Sequence, residues 1–80
     1  MTRRATIRTE HDRPHVVAAA LTPDNTDEMR TTVDDGTIVT RIERETTGGL
    51  HSTVDDYVVN LDVASRVVRH AEQQTPPNHE

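Results

Sequence analysis

The chain predicts an α+β fold in the order β-α-β-β-α: a three-stranded antiparallel sheet with two helices packed on one face. Three observations predict it. Residues Arg3 to Glu10 alternate with the period of two that marks a half-buried strand. Asp34-Asp35-Gly36 sits between two further alternating runs, the signature of a hairpin turn. From Leu50 to Gln74 the apolar residues recur at helical spacing over a length no strand reaches.

In the first strand Ala5 and Ile7 face one way, and Arg4, Thr6 and Arg8 face the other. Asp12 is expected to cap a helix whose first turn accepts Pro14, because no backbone donor is needed there. Val17 and Leu21 make one face of this helix, and Val16 and Ala20 make another. Thr22-Pro23-Asp24-Asn25-Thr26 ends it in a turn-rich loop. Met29 to Val33 reads as the second strand, and Gly36 is expected to supply a positive φ in the hairpin. Thr37 to Thr46 reads as the third strand, with Ile38, Thr40 and Ile42 inward and Val39, Arg41, Glu43 and Glu45 on a mostly solvated face. Thr47-Gly48-Gly49 separates it from the long helix, with Thr47 as the expected cap. Pro76 and Pro77 cannot continue that helix, so it should end near Gln74. Residues 1–75 then form one domain and 76–80 a disordered tail. The expected core is Ile7, Val17, Leu21, Val33, Ile38, Ile42, Val54, Leu61 and Val68.

Composition says that this core is thin. Eighty residues bury only about 60% of the surface that the unfolded chain exposes. Apolar residues are 31% of the chain, most of them small, and Tyr57 is the only aromatic. Such a core rarely leaves more than about 3–5 kcal/mol of net stability. There is no cysteine, so neither a disulfide nor a thiolate metal site can help. Assembly with another chain is the remaining common remedy. The net charge is −5, and all nine basic residues are arginine. An acidic, lysine-free chain with small apolar residues resembles proteins of extreme halophiles. In molar salt the Debye length shrinks to about 3 Å, so overall charge speaks neither for nor against a nucleic-acid partner. No run approaches the roughly 20 apolar residues of a membrane span. The N-terminus lacks the apolar core of a signal peptide, and a cytoplasmic location is expected.

The long helix carries two apolar stripes. Leu50, Val54, Tyr57, Leu61, Ala64, Val68 and Ala71 form one, and Val59, Val63 and Val67 form the other. At 100° per residue, Val59 lies about opposite Leu50 and Val68. A helix covering one small sheet needs only the first stripe. The second calls for another polypeptide, unless the first helix or the tail covers it.

Little here points to chemistry. His11 and His15 are four apart, but His11 precedes the helix and no carboxylate cluster frames the pair, so surface histidines are expected and no metal site. Asp34-Asp35 fits turn chemistry, and Asp55-Asp56 a solvated helix face. There is no nucleophile elbow, phosphate loop or zinc spacing. An enzyme is not expected, and neither is a cofactor. Arg4 and Arg8 share a strand face and are candidates for RNA phosphates or for a charge-protected edge. A small KH-like RNA-binding module is the alternative reading of the element order, although a KH domain should carry a GxxG loop between helices, which this chain lacks in that context.

Two segments in order carry a family likeness. Ala20-Leu21-Thr22-Pro23-Asp24-Asn25 resembles the SL-x-PDN signature that follows the first helix of the Pcc family, the small dimerising subunit of the KEOPS (EKC) complex. Leu50-His51-Ser52-Thr53-Val54-Asp55-Asp56-Tyr57-Val58-Val59-Asn60-Leu61 is similar to that family's second-helix signature, with Leu50, Thr53, Val54, Tyr57, Val58 and Leu61 on the matching positions. The chain departs from the family where Asp55-Asp56 replaces Asn-Ser and Val59-Asn60 replaces Arg-Trp. The resemblance spans about residues 3–73. It implies a non-catalytic scaffold that supports formation of threonylcarbamoyladenosine beside the anticodon of tRNAs reading codons that begin with A. The implied partners are the threonylcarbamoyl transferase subunit directly, a kinase-like subunit indirectly, and tRNA through the complex. A second copy, or a paralogue in a heterodimer, is expected to extend the sheet through an edge strand, strand one being favoured. Carried over by position, the transferase contact falls on Val16, Ala20, Val59, Val63 and Val67, and Arg4 and Arg8 are candidates for the dimer edge or tRNA.

Overall fold

Residues 1–74 are described by the computed structural model, with side chains up to Ala71. They form β1 (Arg3–Glu10), α1 (Pro14–Leu21), a 3-10 turn (Thr22–Asp24), β2 (Met29–Asp34), β3 (Thr37–Arg44) and α2 (Thr47–Gln74). The strands make one antiparallel sheet in the order β1-β3-β2, and both helices pack on its one covered face. The expected α+β architecture is therefore the observed one. The hairpin joins β2 to β3. The α1 crossover is required because β1 and β2 run the same way on opposite sides of β3.

Register decides which side chains meet the helices. Ala5, Ile7 and Thr9 stand opposite Ile42, Thr40 and Ile38, and Met29, Thr31 and Val33 stand opposite the same three residues from the other side. Above them lie Val17, Ala18 and Leu21 of α1 and Tyr57, Leu61 and Ala64 of α2. Ile7, Val33, Val54 and Val68 close the cluster as half-buried members rather than fully buried ones. Two lie on edge strands and two toward the margins of α2.

The core contains a chain of hydrogen bonds. Asn25 Nδ2 donates to Thr31 Oγ1 at 2.7 Å. The hydroxyls of Thr31 and Thr40 are 2.9 Å apart. Thr40 Oγ1 donates to the Tyr57 hydroxyl at 2.6 Å. Loop, edge strand, central strand and long helix are thus linked through one polar line. Among the described residues no buried side-chain polar atom is left unpaired. A second clamp sits at the sheet end, where Arg44 Nη1 donates to Thr53 Oγ1 at 2.6 Å.

Several local expectations are corrected. Asp12 does not cap α1; Arg13 is the N-cap residue and no side chain bonds there. The ladder continues to His11, whose N–H donates to Gly36 O, so the chain enters the helix one residue later than Asp12. In the hairpin the positive φ belongs to Asp35, at 60°, and not to Gly36. Aspartate tolerates the left-handed region better than most residues do. β3 stops at Arg44 instead of Thr46, because Thr46 is taken by the helix start: Gly49 N–H donates to Thr46 Oγ1 at 3.0 Å, and Leu50 N–H to Thr46 O. The cap is therefore Thr46, not Thr47, and the two glycines lie inside the first turn. A Cβ on Gly49 would stand 3.0 Å from Thr46 Oγ1 and 3.1 Å from the Arg44 guanidinium. Val39 is 3% exposed although it lies on the uncovered face. Its cross-strand neighbours there, Arg8 and Thr32, flank it on both sides. The tail at 76–80 lies outside the described residues.

Burial pushes the Tyr57 hydroxyl above its ordinary 10.0, and the Thr40 hydrogen bond offsets part of that rise. An unfolded tyrosine ionises near 10, whereas the folded one keeps its proton to higher pH. Its contribution to stability is therefore complete below about pH 10 and is lost as pH rises from there through the folded value. With no lysine, cysteine or second tyrosine in the chain, no other side chain has its ordinary pKa near 10. We expect urea midpoints to fall above pH 10 in the wild type and to lose most of that fall in Tyr57→Phe. Thr40→Val, which leaves the buried tyrosine hydroxyl without its donor, should cost about 1–3 kcal/mol in the same titration.

Candidate partner interface

The rotation of α2 is set by what it buries. Thr53, Tyr57, Leu61 and Ala64 are buried, and they lie on the stripe that faces the sheet and α1. Val59, Val63 and Val67 fall on the opposite side and are 60%, 53% and 57% exposed. Neither α1 nor any other described part of the chain hides them. Val58 is also exposed, between the stripe and the core face. On α1 the core face is Val17, Ala18 and Leu21, which leaves Val16, Ala19 and Ala20 exposed. All five residues expected to contact a partner are therefore accessible. They share the helical layer but stand on two helices. Val58 and Ala19 were not among the expected residues. Their spacing places them on helix flanks, and only the packed orientation decides that a flank stays open.

The stripe has the geometry of a ridge. Residues four apart on one helix line up and fit the groove of a facing helix. Toward the C-terminal end it meets a shallow depression of about 610 Å³ lined by Arg66, Val67, Arg69, His70 and Ala71. One flank is charged: Asp62 pairs with Arg66 at 3.1 Å, and Asp55 lies 3.9 Å from His51. An apolar ridge beside a charged flank matches part of the usual plan of an interface, a dry centre next to a polar rim. Covering the remaining half of each valine is worth roughly 1 kcal/mol.

The other candidates are less coherent. A polar cleft of about 700 Å³ lies between the top of the sheet and α2, but Glu10, Asp12 and Asp35 line it together with Arg13 and Arg69, without a convergent set. His11 is half-buried and lies 2.7 Å from Thr9 Oγ1 through Nε2, while His15, His51 and His70 are exposed. Among the described residues no three His, Asp or Glu side chains are grouped to hold a metal ion. The helices are separated by the β2–β3 hairpin, so no loop joins them directly. No helix among the described residues is long and apolar enough to cross a membrane. On β1, Arg4 Nε donates to Glu43 at 3.0 Å, whereas Arg8 has no carboxylate partner among the described residues. No protein-family model matches the chain, and no curated protein is significantly similar to it.

Exposure and burial separate two kinds of substitution on the same helix. Val63→Ser should leave the stability of the isolated chain within about 0.5 kcal/mol of wild type. Leu61→Ala, two residues away and buried, should cost about 2–5 kcal/mol. Urea unfolding of the two variants checks both, and a large loss in Val63→Ser would mean that the stripe is already covered.

Proposed function

We propose that this chain is a non-catalytic scaffold subunit of a KEOPS-type tRNA-modification complex, acting in the cytoplasm. In this reading the valine face of α2, helped by Val16 and Ala20 of α1, seats helices of the threonylcarbamoyl transferase subunit. The kinase-like subunit is reached through the transferase, and tRNA through the assembled complex. The observation that carries the reading is the exposed stripe Val59-Val63-Val67 on a domain too small to spend apolar surface without a partner. The two segments that resemble the Pcc family supply the identity of the complex.

A second copy, or a paralogue, joins through β1 in this reading. This edge offers eight residues against six in β2. The His11–Gly36 bond shows that odd-numbered residues of β1 turn their backbone groups toward β3. Even-numbered residues therefore present theirs to the free edge. An antiparallel pair must match even positions with even positions. Centring on Thr6 would set Arg4 against Arg8 of the second copy, a like-charge pair. Centring on Ile7 sets Arg4 against Glu10 and Ile7 against itself, which covers a residue that is half-buried in one chain.

Two measurements test this. Co-purification from cells should recover the transferase with the wild type and lose it with Val59→Asp combined with Val63→Asp, while the helical circular dichroism signal stays unchanged. In a chain without cysteine, Ile7→Cys should form an intermolecular disulfide under mild oxidation. A monomer on sizing that captures no transferase would reject the reading.

A further inference from the structure

The uncovered face of the sheet breaks a rule that the rest of the sheet keeps. Opposite charges facing across strands stabilise a sheet, and like charges directly opposite destabilise it. Arg4 obeys, facing and bonding Glu43. Arg30 and Arg41 do not: they are direct cross-strand partners on β2 and β3. Both are exposed, and neither has a carboxylate within 4.0 Å among the described residues. Arg8 lies on the same face one row along, opposite Val39, and is likewise unpaired there. The chain carries fourteen carboxylates, so acids are not in short supply. On this face they lie toward the two ends of the strands: Glu28, Glu43 and Glu45 at one, where with Asp27 they share a cleft of about 390 Å³ with Arg30 and Arg41, and Glu10 and Asp34 at the other. The middle rows hold only arginine, threonine hydroxyls at Thr6 and Thr32, and the buried Val39.

We propose that this middle band binds the phosphodiester backbone of a nucleic acid, with Arg8, Arg30 and Arg41 as the phosphate contacts. Guanidinium groups and hydroxyls are the side chains that hold phosphate and sugar. The band has no aromatic for base stacking, so it reads backbone and not sequence. It has no exposed apolar group, which disfavours an acidic peptide. The arginine cluster exists in a single copy of the chain. Its extension rests on the β1 pairing proposed above. With Ile7 at the centre, Arg8 of one copy lies beside Thr6 of the other. The row Arg30-Arg41-Thr6 then continues into Arg8 of the second copy, and its symmetry mate lies next to it. Six arginines form one strip across the joined sheet, with the acids displaced to both rims.

The test uses the full chain and a fluorescein-labelled oligouridylate of twelve nucleotides, followed by anisotropy over a series of potassium chloride concentrations. Inorganic phosphate and polyglutamate are the competing probes. We expect Arg30→Thr and Arg41→Thr each to weaken binding about five- to tenfold and to flatten the slope of log affinity against log salt by roughly 0.7. Arg41→Lys should keep most of the slope. Removing the like-charge pair should also raise the urea midpoint of Arg41→Thr, a gain in stability with a loss of binding that a merely structural arginine would not give. No binding by the wild type would overturn the proposal. So would binding unchanged in both threonine variants, polyglutamate binding as tightly as the oligonucleotide, or inorganic phosphate displacing the oligonucleotide at equal concentration. Transferase capture and the Ile7→Cys crosslink should survive in Arg30→Thr, so failure here and failure of the scaffold reading are read separately.

Discussion

The contact between Tyr57 and Thr40 fixes how the long helix sits on the sheet. Tyr57 is the one aromatic residue in the chain, and it lies buried in the core with its hydroxyl bonded to the central strand. Once its hydroxyl accepts from Thr40 at 2.6 Å, the rotation of α2 about its own axis is set. Leaving that position would strand a polar group in the core, which costs more than the bond itself contributes. Every other residue of α2 takes its place accordingly: Leu61 and Ala64 go down, and Val59, Val63 and Val67 go up. The Arg44–Thr53 bond holds the same rotation one turn earlier. The apolar ridge is therefore a consequence of how the core is locked, and it is displayed at a fixed angle.

A thin core and an apolar exterior are two sides of one constraint. Small side chains fill the space between a three-stranded sheet and two helices without needing the second stripe of α2. Apolar residues kept outside such a domain reduce its solubility and add nothing to its own stability. They are consistent with a chain whose stability is completed by assembly. The same division of labour applies to the sheet. One face is covered by helices and holds the hydrogen-bonded threonines, and the other is a flat array of charge in rows. Where that array pairs Arg4 with Glu43 it supports the fold. Where it sets Arg30 against Arg41 it works slightly against the fold, and local violations of this kind concentrate at functional surfaces.

The legible parts of this chain were those governed by periodicity. Alternation in Arg3–Glu10 and the helical repeat from Leu50 gave the element types, and Val17, Leu21, Ile38, Ile42 and Leu61 were readable as core because each falls on an apolar face of its element. The valine ridge was readable for the same reason. Turn and cap details were not. Asp12 and Thr47 are good capping residues by type, but backbone pairing at His11 and the Thr46 hydroxyl decided where each helix begins. Val39 looked solvated because alternation assigns it outward, and alternation does not know that Arg8 and Thr32 flank it.

The sequence by itself determined the order of elements, the amphipathic faces and the surplus of apolar surface, since these depend on spacing along one chain. Only the tertiary structure decided the strand order β1-β3-β2 and the register, and with them which arginines became neighbours. Arg30 and Arg41 are eleven positions apart in sequence and face each other because the hairpin turns at Asp35-Gly36. Charge adjacency across strands is a property of pairing, and pairing is chosen by the whole core at once.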